Sequence, residues 1–435
     1  MTNYGKFAGW NLQNSGQCEF VSKPRILEEI DLKRRGIVRG GGQSYGDAAV
    51  NFTGLVYKSE LIDSESIPLE DHGAYVIVHA EHTIRNLCRY LVKTGRFMEV
   101  VPGSIDATIG GCVAADIHGK NDHTYGSFSY SVLAVEVLSA NGVNWIHRDK
   151  SLDFKYVISG YGLTGIIQRV KLSVRTVSSP KLKSEVLLVN SLDDLFLKMK
   201  ETENKYEYSV GWLDYSQPGL ARGFVEGANW AENVELEATE RKKRSYELPN
   251  LKFNLITPLT IRIYNSITYK RALKKAKEEE QLVSYEEYLF PTLKMKNWNA
   301  LFGNSGFHEI QVIVKYEFQK NVVRDIEQIA IRYPIFLAGI KKVSHQGLGL
   351  LSFTQPGWSI ALNIPAKYIT VSEVQEILAQ FAISYGSPQY LAKDSALNQE
   401  IFNLTYPKAD EFRDYRIKSG CIDFFESELS KRLSL

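Results

Sequence analysis

The sequence predicts an α+β protein: a region of alternating short strands and helices, then one large antiparallel sheet. Three observations carry this. Up to residue 178, apolar runs of strand length alternate with helical periodicity. From about Lys181, strands of alternating polarity are separated by long connections. After Ser387 the helical pattern returns. The expected divisions are 1–178, 179–387 and 388–435.

In chain order, Gly36–Arg39 reads as a strand entering a glycine-rich loop, and 74–79 (AYVIVH) as an apolar strand. Thr83 is placed to cap a helix whose apolar residues Ile84, Leu87, Cys88 and Leu91 recur at i, i+3, i+4 and i+7. Residues 99–101 read as a β-type run into a second glycine-rich loop, and 132–139 and 166–174 as further strands. The sheet region supplies 184–189, 208–213, 309–316 and 358–364. In the third of these Ile310, Val312 and Val314 face one way, Glu309 and Gln311 the other. In the fourth Trp358, Ile360, Leu362 and Ile364 oppose Ser359, Ala361 and Asn363, and that polar face meets either solvent or a pocket. Thr370 and Glu373 form a capping box for a helix burying Val374, Ile377, Leu378 and Phe381. Two charged stretches, 231–244 and 269–280, read as solvated helix or loop, the first being a candidate lid.

A net charge of +2 over 435 residues marks no nucleic-acid binder. Cys18, Cys88, Cys112 and Cys421 lack metal or redox spacing and read as buried free thiols. No run is long enough to span a bilayer and no basic-then-apolar leader opens the chain, so a soluble, cytoplasmic protein is expected.

The chemistry lies in two loops, 39–47 (RGGGQSYGD) and 101–128 (VPGSIDATIGGCVAADIHGKNDHTYGSF). Gly40, Gly41, Gly42 and Gly46 in the first, and Gly103, Gly110, Gly111, Gly119 and Gly126 in the second, can take positive φ and let N–H groups converge on an anion. A polyphosphate cofactor needs such backbone donors and close approach.

On these residues a resemblance becomes specific. RGGGQSYGD resembles the pyrophosphate loop of the FAD-binding domain in vanillyl-alcohol-oxidase-type flavoproteins. Residues 102–128, followed by VEVLSANG at 135–142 and GYGLTGII at 160–167, are similar to the decaprenylphosphoryl-β-D-ribose 2-oxidase family. PGW at 356–358, YLAKDS at 390–395 and YPKADEF at 406–412 follow in that family's order, so the resemblance spans nearly the whole chain. ADIHGKN (115–121) and YLAKDS are its most specific motifs.

The resemblance implies noncovalent FAD and oxidation at C2 of a ribofuranose carried on a polyprenyl phosphate. It implies that 388–435 rejoins 1–178 to complete an FAD-binding domain around a substrate domain. It assigns cofactor contacts to Arg39, Gly40, Gly41, Gly42, Gln43, Ser44 and Tyr45, and to Pro102, Gly103, Thr108, Gly110, Gly111, Cys112, Asp116, His118, Gly119, Asn121, Gly126 and Ser127. Gly162, Ile166 and Tyr390 complete that set. Gln43 stands where several relatives carry a histidine bonded to the flavin, a bond glutamine cannot form. A separate short-chain reductase would reduce the ketone, and peripheral membrane contact is compatible with a lipid-linked substrate.

Alcohol oxidation by a flavin needs a base within reach of the substrate hydroxyl. From spacing alone Lys393 pairs with Asp394 or holds a phosphate; the resemblance makes it the base. A free lysine has a pKa of roughly 10.4, so that role requires desolvation or a neighbouring cation. Tyr390 shares a face with Lys393 if the segment is helical, and His118 is the second catalytic candidate. His123 reads as a surface or loop residue. Lys120, Trp212, Gln311, Lys341, Asn363 and Lys393 are the expected substrate contacts. Ala361 replaces a cysteine of the mycobacterial members, and Leu289 and Glu309 also depart from the family's pocket, which leaves the sugar open. An aldonolactone- or alditol-type oxidase using oxygen is the alternative, and a flavin- or glycan-binding protein without turnover a third reading.

Overall fold

A computed structural model describes residues 3–23, 34–61, 69–217, 221–232, 246–249 and 251–435. Most of the candidate lid, 233–244, lies outside the described residues. The fold is α+β with three principal sheets. Asn3–Phe7, Gly16–Lys23, Leu55–Ser59 and Gly36–Arg39 form a mixed four-stranded sheet in that order. A second sheet runs Glu70–Asp71, Tyr75–His79, Ile166–Thr176, Val132–Ser139, Gly142–His147, with Arg96–Met98 also paired to Ile166–Thr176. The third is the large antiparallel sheet of seven strands. Its order is Gln281–Ser284, Lys181–Val189, Arg222–Trp230, Tyr208–Asp214, Leu337–Val343, Gly357–Pro365, Phe307–Val314.

All four alternating strands expected after residue 181 belong to that sheet. Ile310, Val312, Trp358, Ile360 and Leu362 enter one core on its apolar face. The helix Val371–Tyr385 is closed by the Thr370–Glu373 capping box and buries Val374, Ile377, Leu378 and Phe381. Thr83 caps Ile84–Lys93 by accepting from the Asn86 N–H, and the four apolar residues read there are buried. All four cysteines are buried and free.

Several boundaries shift by one to three residues, and three of the differences have a visible cause. The strand before the second glycine loop is Arg96–Met98, not 99–101. The Glu99 carbonyl accepts from Asn121 Nδ2 (2.6 Å), so it is tied to the loop instead of a sheet ladder. The strand read as 309–316 is Phe307–Val314, because its pairing ends at Val314–Trp358. The charged stretch 269–280 begins inside a helix, Pro258–Lys275, opened by a Thr257–Thr260 capping box with proline in its first turn. Its apolar residues surround the helix, so no amphipathic stripe announced it.

The C-terminal segment packs back on the first sheet. Phe425 bridges Gly36, the Gly36 N–H donates to the Phe424 carbonyl (2.9 Å), and the Glu428 N–H to that of Val50 (2.9 Å). Arg432, in the last helix, then joins two distant loops. Its guanidinium donates to both Asp47 oxygens (2.9 and 2.7 Å) and lies 2.8 Å from Asp394 Oδ2. Both carboxylates are almost fully buried. Removing one member of a buried ion group strands the others, at a cost of about 3–5 kcal/mol. Arg432→Ala is therefore expected to lower the unfolding free energy by about that much in denaturant titration. A loss within about 0.5 kcal/mol, ordinary for a surface change, would show that the cluster does not hold the fold.

Candidate active site

Between the two glycine loops and the polar face of the large sheet lies a cavity of about 540 Å³. The first loop contributes 40–45, the second 102–108 together with Gly111, Cys112 and His118. Most of the glycines act differently from the reading above. Of those named, only Gly42 and Gly126 take positive φ. At Gly40 a Cβ would lie 2.3 Å from Thr108 Oγ1, at Gly41 2.3 Å from the Asp106 carbonyl, and at Gly46 1.5 Å from the Asp394 carbonyl. These glycines are required because loops touch there, not for left-handed backbone.

The N–H groups of Gly41, Gly42, Gln43 and Ser44 have no hydrogen-bond partner among the described residues, and all four residues line the cavity. Four unpaired backbone donors on one concave loop fit a pyrophosphate. Gln43 braces the loop: its Nε2 donates to the Gly41 carbonyl (3.0 Å) and its Oε1 accepts from Ser104 Oγ (2.7 Å).

The opposite wall is the sheet's polar face. Glu309 and Gln311, Ser359 and Ala361, Gly339 and Lys341, and Val210 project into the cavity from four adjacent strands. Of the two environments open to that face, the pocket is the one found. The YLAKDS segment is pinned beside it as a turn rather than a helix. The Tyr390 N–H donates to the Gln311 carbonyl, the Lys393 N–H to that of Tyr390, and the Tyr45 N–H to that of Ala392 (2.9, 2.9 and 2.8 Å). Tyr390 and Lys393 both line the cavity nonetheless.

Lys393 does not pair with Asp394, which belongs to Arg432. Its Nζ lies 3.4 Å from Glu309 Oε1 and 3.1 Å from the centre of the Tyr45 ring. Burial lowers the Lys393 pKa from the usual lysine value, and Glu309 opposes that shift. Lys341 is pushed down to about 8 by burial, then by Lys120 and Lys393. His118 is almost fully buried, with Gln311 Nε2 donating to its Nε2 (2.8 Å), and Gln311 also donates to Ser359 Oγ (3.1 Å). Its Nδ1 has no hydrogen-bond partner among the described residues. Burial, then Lys341 and Lys393, holds the imidazole well below its usual pKa, so His118 is neutral near pH 7.

Several expected residues lie elsewhere. Arg39, Gly110, Asp116, Gly119, Asn121, Gly126, Ser127, Gly162 and Ile166 do not line the cavity. Arg39 reaches the Ala8 carbonyl (2.9 Å); Asp116 accepts from the Ser129 N–H (2.9 Å) and Ser352 Oγ, and with Asn121 it shapes the loop that carries His118. Ser127 bridges His118 through the backbone, Gly110 packs on Ala80, Gly162 beside Ile37, and Ile166 is core. In the substrate set, Lys120 donates to the Tyr288 carbonyl and lies over that ring, and Trp212 stacks on Phe224. Asn363 shares the face of Ser359 and Ala361 but does not line the cavity; its Nδ2 lies 3.4 Å from Glu309 Oε2. Leu289 is buried outside the wall. His123 is half-buried and meets the Tyr206 carbonyl, because its short helix packs against that turn. Glu309, named above as a departure from the family's pocket, lines the cavity; Ser359, Tyr161 and the wall 290–298 were not among the expected site residues. Alternation on the strand puts Ser359 on the polar face; nothing in the local sequence marks the 290–298 wall.

A protein-family model described as an FAD binding domain matches residues 30–145. Decaprenylphosphoryl-beta-D-ribose oxidase of Mycolicibacterium smegmatis is 28% identical over 421 residues, covering 92% of this chain and 90% of that protein. An uncharacterized protein in the mprA 5' region of Streptomyces coelicolor is 26% identical, covering 81% of this chain and 100% of its own. The mitochondrial D-2-hydroxyglutarate dehydrogenase of Arabidopsis thaliana is 23% identical over 50% of this chain and 42% of its own. The chain is an FAD-dependent oxidoreductase and resembles decaprenylphosphoryl-beta-D-ribose oxidase along nearly its whole length.

Proposed function

We propose that the protein oxidises a secondary hydroxyl of a polyprenyl-phosphate-linked sugar to a ketone, at C2 of a pentofuranose. Residues 1–178 and 388–435 would form its FAD-binding part, around a substrate part at 179–387. The observation that carries the reading is the convergence of Lys393, Lys341, Gln311 and His118 on the cavity lined by both glycine loops. Bound FAD, held noncovalently by the 41–44 N–H groups and the second loop, supplies the hydride acceptor.

The chain's own residues do the rest. Lys393, desolvated and therefore a better proton acceptor near neutrality, takes the hydroxyl proton. Glu309 receives the resulting ammonium at ion-pair distance. Gln311 orients the neutral His118 and remains beside the sugar. Lys341 serves as a point charge for the phosphate. His118 is the weaker base, because burial, then Lys341 and Lys393, hold its pKa well below the ordinary imidazole value. The ketone would pass to a separate short-chain reductase, completing an epimerisation.

The direct test is anaerobic mixing of the yellow protein with a polyprenyl-phosphoryl pentose. Bleaching of the flavin band and a product two hydrogens lighter are expected. Bleaching by soluble aldonolactones or alditols alone would establish the alternative oxidase instead. Acid denaturation should release intact FAD, since Gln43 forms no flavin bond; flavin retained on the precipitated polypeptide would contradict this.

The base assignment is tested by variants. Lys393→Ala should retain FAD yet slow flavin reduction by roughly 10²–10⁴-fold. Lys393→Arg should fail almost as badly, since guanidinium does not lose its proton near neutrality. Reduction should speed up as pH rises through the lowered Lys393 pKa. Glu309→Gln removes the charge that favours the ammonium and should move that limb to lower pH. A fast Arg variant, or a limb unmoved by Glu309→Gln, would end the assignment.

A further inference from the structure

Outside the cavity, the helix Pro258–Lys275 has an orientation unusual for a soluble protein. Its inner side is narrow: Ile261, Asn265 and Ala272 are its buried residues, and Asn265 Nδ2 donates to Asp214 Oδ1 (2.9 Å). Its outer side is apolar where charge is ordinary. Leu259, Ile263 and Ile267, spaced at i, i+4 and i+8, are 66%, 52% and 46% exposed. Phe253 (64% exposed) and Leu255 extend the patch ahead of the helix, with the Leu255 N–H fixed on the Leu301 carbonyl (2.8 Å).

Charge accompanies this face. The helix carries Arg262, Lys270, Arg271, Lys274 and Lys275 and no carboxylate; the run Glu278–Glu280 follows only after it ends. Lys275 is committed to Glu226 (2.9 Å). The other four have no carboxylate partner among the described residues. Lys270 and Lys274 continue the stripe of Leu259, Ile263 and Ile267. An exposed apolar stripe continued by cations that have no carboxylate partner among the described residues matches the interfacial layer of an anionic bilayer.

The face is also near the cavity. Ile261 packs with Phe302, Phe307 and Phe336, a cluster joined by Trp298 and Tyr45, and both of these line the cavity. Met295, on the 290–298 wall, is 41% exposed, so an apolar part of the cavity wall reaches the surface.

We propose that the outer face of Pro258–Lys275, with Phe253 and Leu255, seats the protein on an anionic lipid surface. Leu259, Ile263 and Ile267 enter the headgroup–acyl boundary while Arg262, Lys270, Arg271 and Lys274 meet lipid phosphates. This extends the reading of a lipid-linked substrate, and vesicle binding is measured without turnover, so either can fail alone.

The test is flotation of the FAD-loaded full chain with vesicles of phosphatidylcholine alone and of phosphatidylcholine mixed equally with phosphatidylglycerol. Binding to the mixed vesicles, weakened by salt, is expected. The triple variant Leu259→Ser, Ile263→Ser, Ile267→Ser should lower partitioning by about tenfold or more while leaving flavin content and melting temperature unchanged. The double variant Lys270→Glu, Lys274→Glu should lower binding to mixed vesicles and leave the weak binding to neutral ones alone. Absence of flotation, or equal flotation of the triple variant, would overturn the proposal. So would a lipid-free dimer in sedimentation that the triple variant dissociates, since a second copy would then cover the face.

Discussion

The structure turns on the buried ion cluster in which one guanidinium joins the ends of the chain to its centre of chemistry. Arg432 sits in the last helix, Asp47 closes the first glycine loop, and Asp394 follows Lys393 directly. The carboxylates are separated by nearly 350 residues of sequence, and neither would be stable ionised in the interior without the cation. The cluster sets the spacing between the phosphate-binding loop and the lysine turn. The Gly46–Asp394 contact shows how tight that spacing is, since no side chain fits at residue 46.

The cavity's electrostatics follow from this packing. Lys393 and Lys341 are both desolvated on one wall, and each lies near enough to depress the neutral His118 further. Glu309 is the counterweight, bound to Lys393 on one side and near Asn363 on the other. Glu309 holds the proton-accepting Lys393 in one place, which leaves Lys341 as the cation facing an anionic substrate group. Ala361 and Gly339, paired across strands, keep the middle of the wall shallow.

Much of this was legible from sequence because it depended on local spacing. Period-two alternation placed Ser359 and Ala361 opposite Trp358 and Ile360, and capping residues Thr83 and Thr370 marked their helices. The loops were legible as motifs, but not in how they work. Gly40, Gly41 and Gly46 are glycines because a distant backbone occupies the Cβ position, and such contacts have no signature in neighbouring residues. The same holds for Asp116, Asn121 and Ser127, which brace the loop behind the wall. Tyr390–Lys393 forms a turn instead of a helix because its N–H groups bond to a strand some eighty residues away and to itself. The first part of the Pro258–Lys275 helix was not legible for the opposite reason: its exposed side is as apolar as its buried one.

The proposed chemistry depends on where FAD lies. A crystal structure of the FAD-loaded protein would test this most directly. The pyrophosphate is expected on the N–H groups of Gly41–Ser44, with the reactive ring within contact of His118, Gln311 and the Lys393 amine. Phosphates bound away from the 41–44 loop, or a ring beyond reach of Lys393, would contradict it.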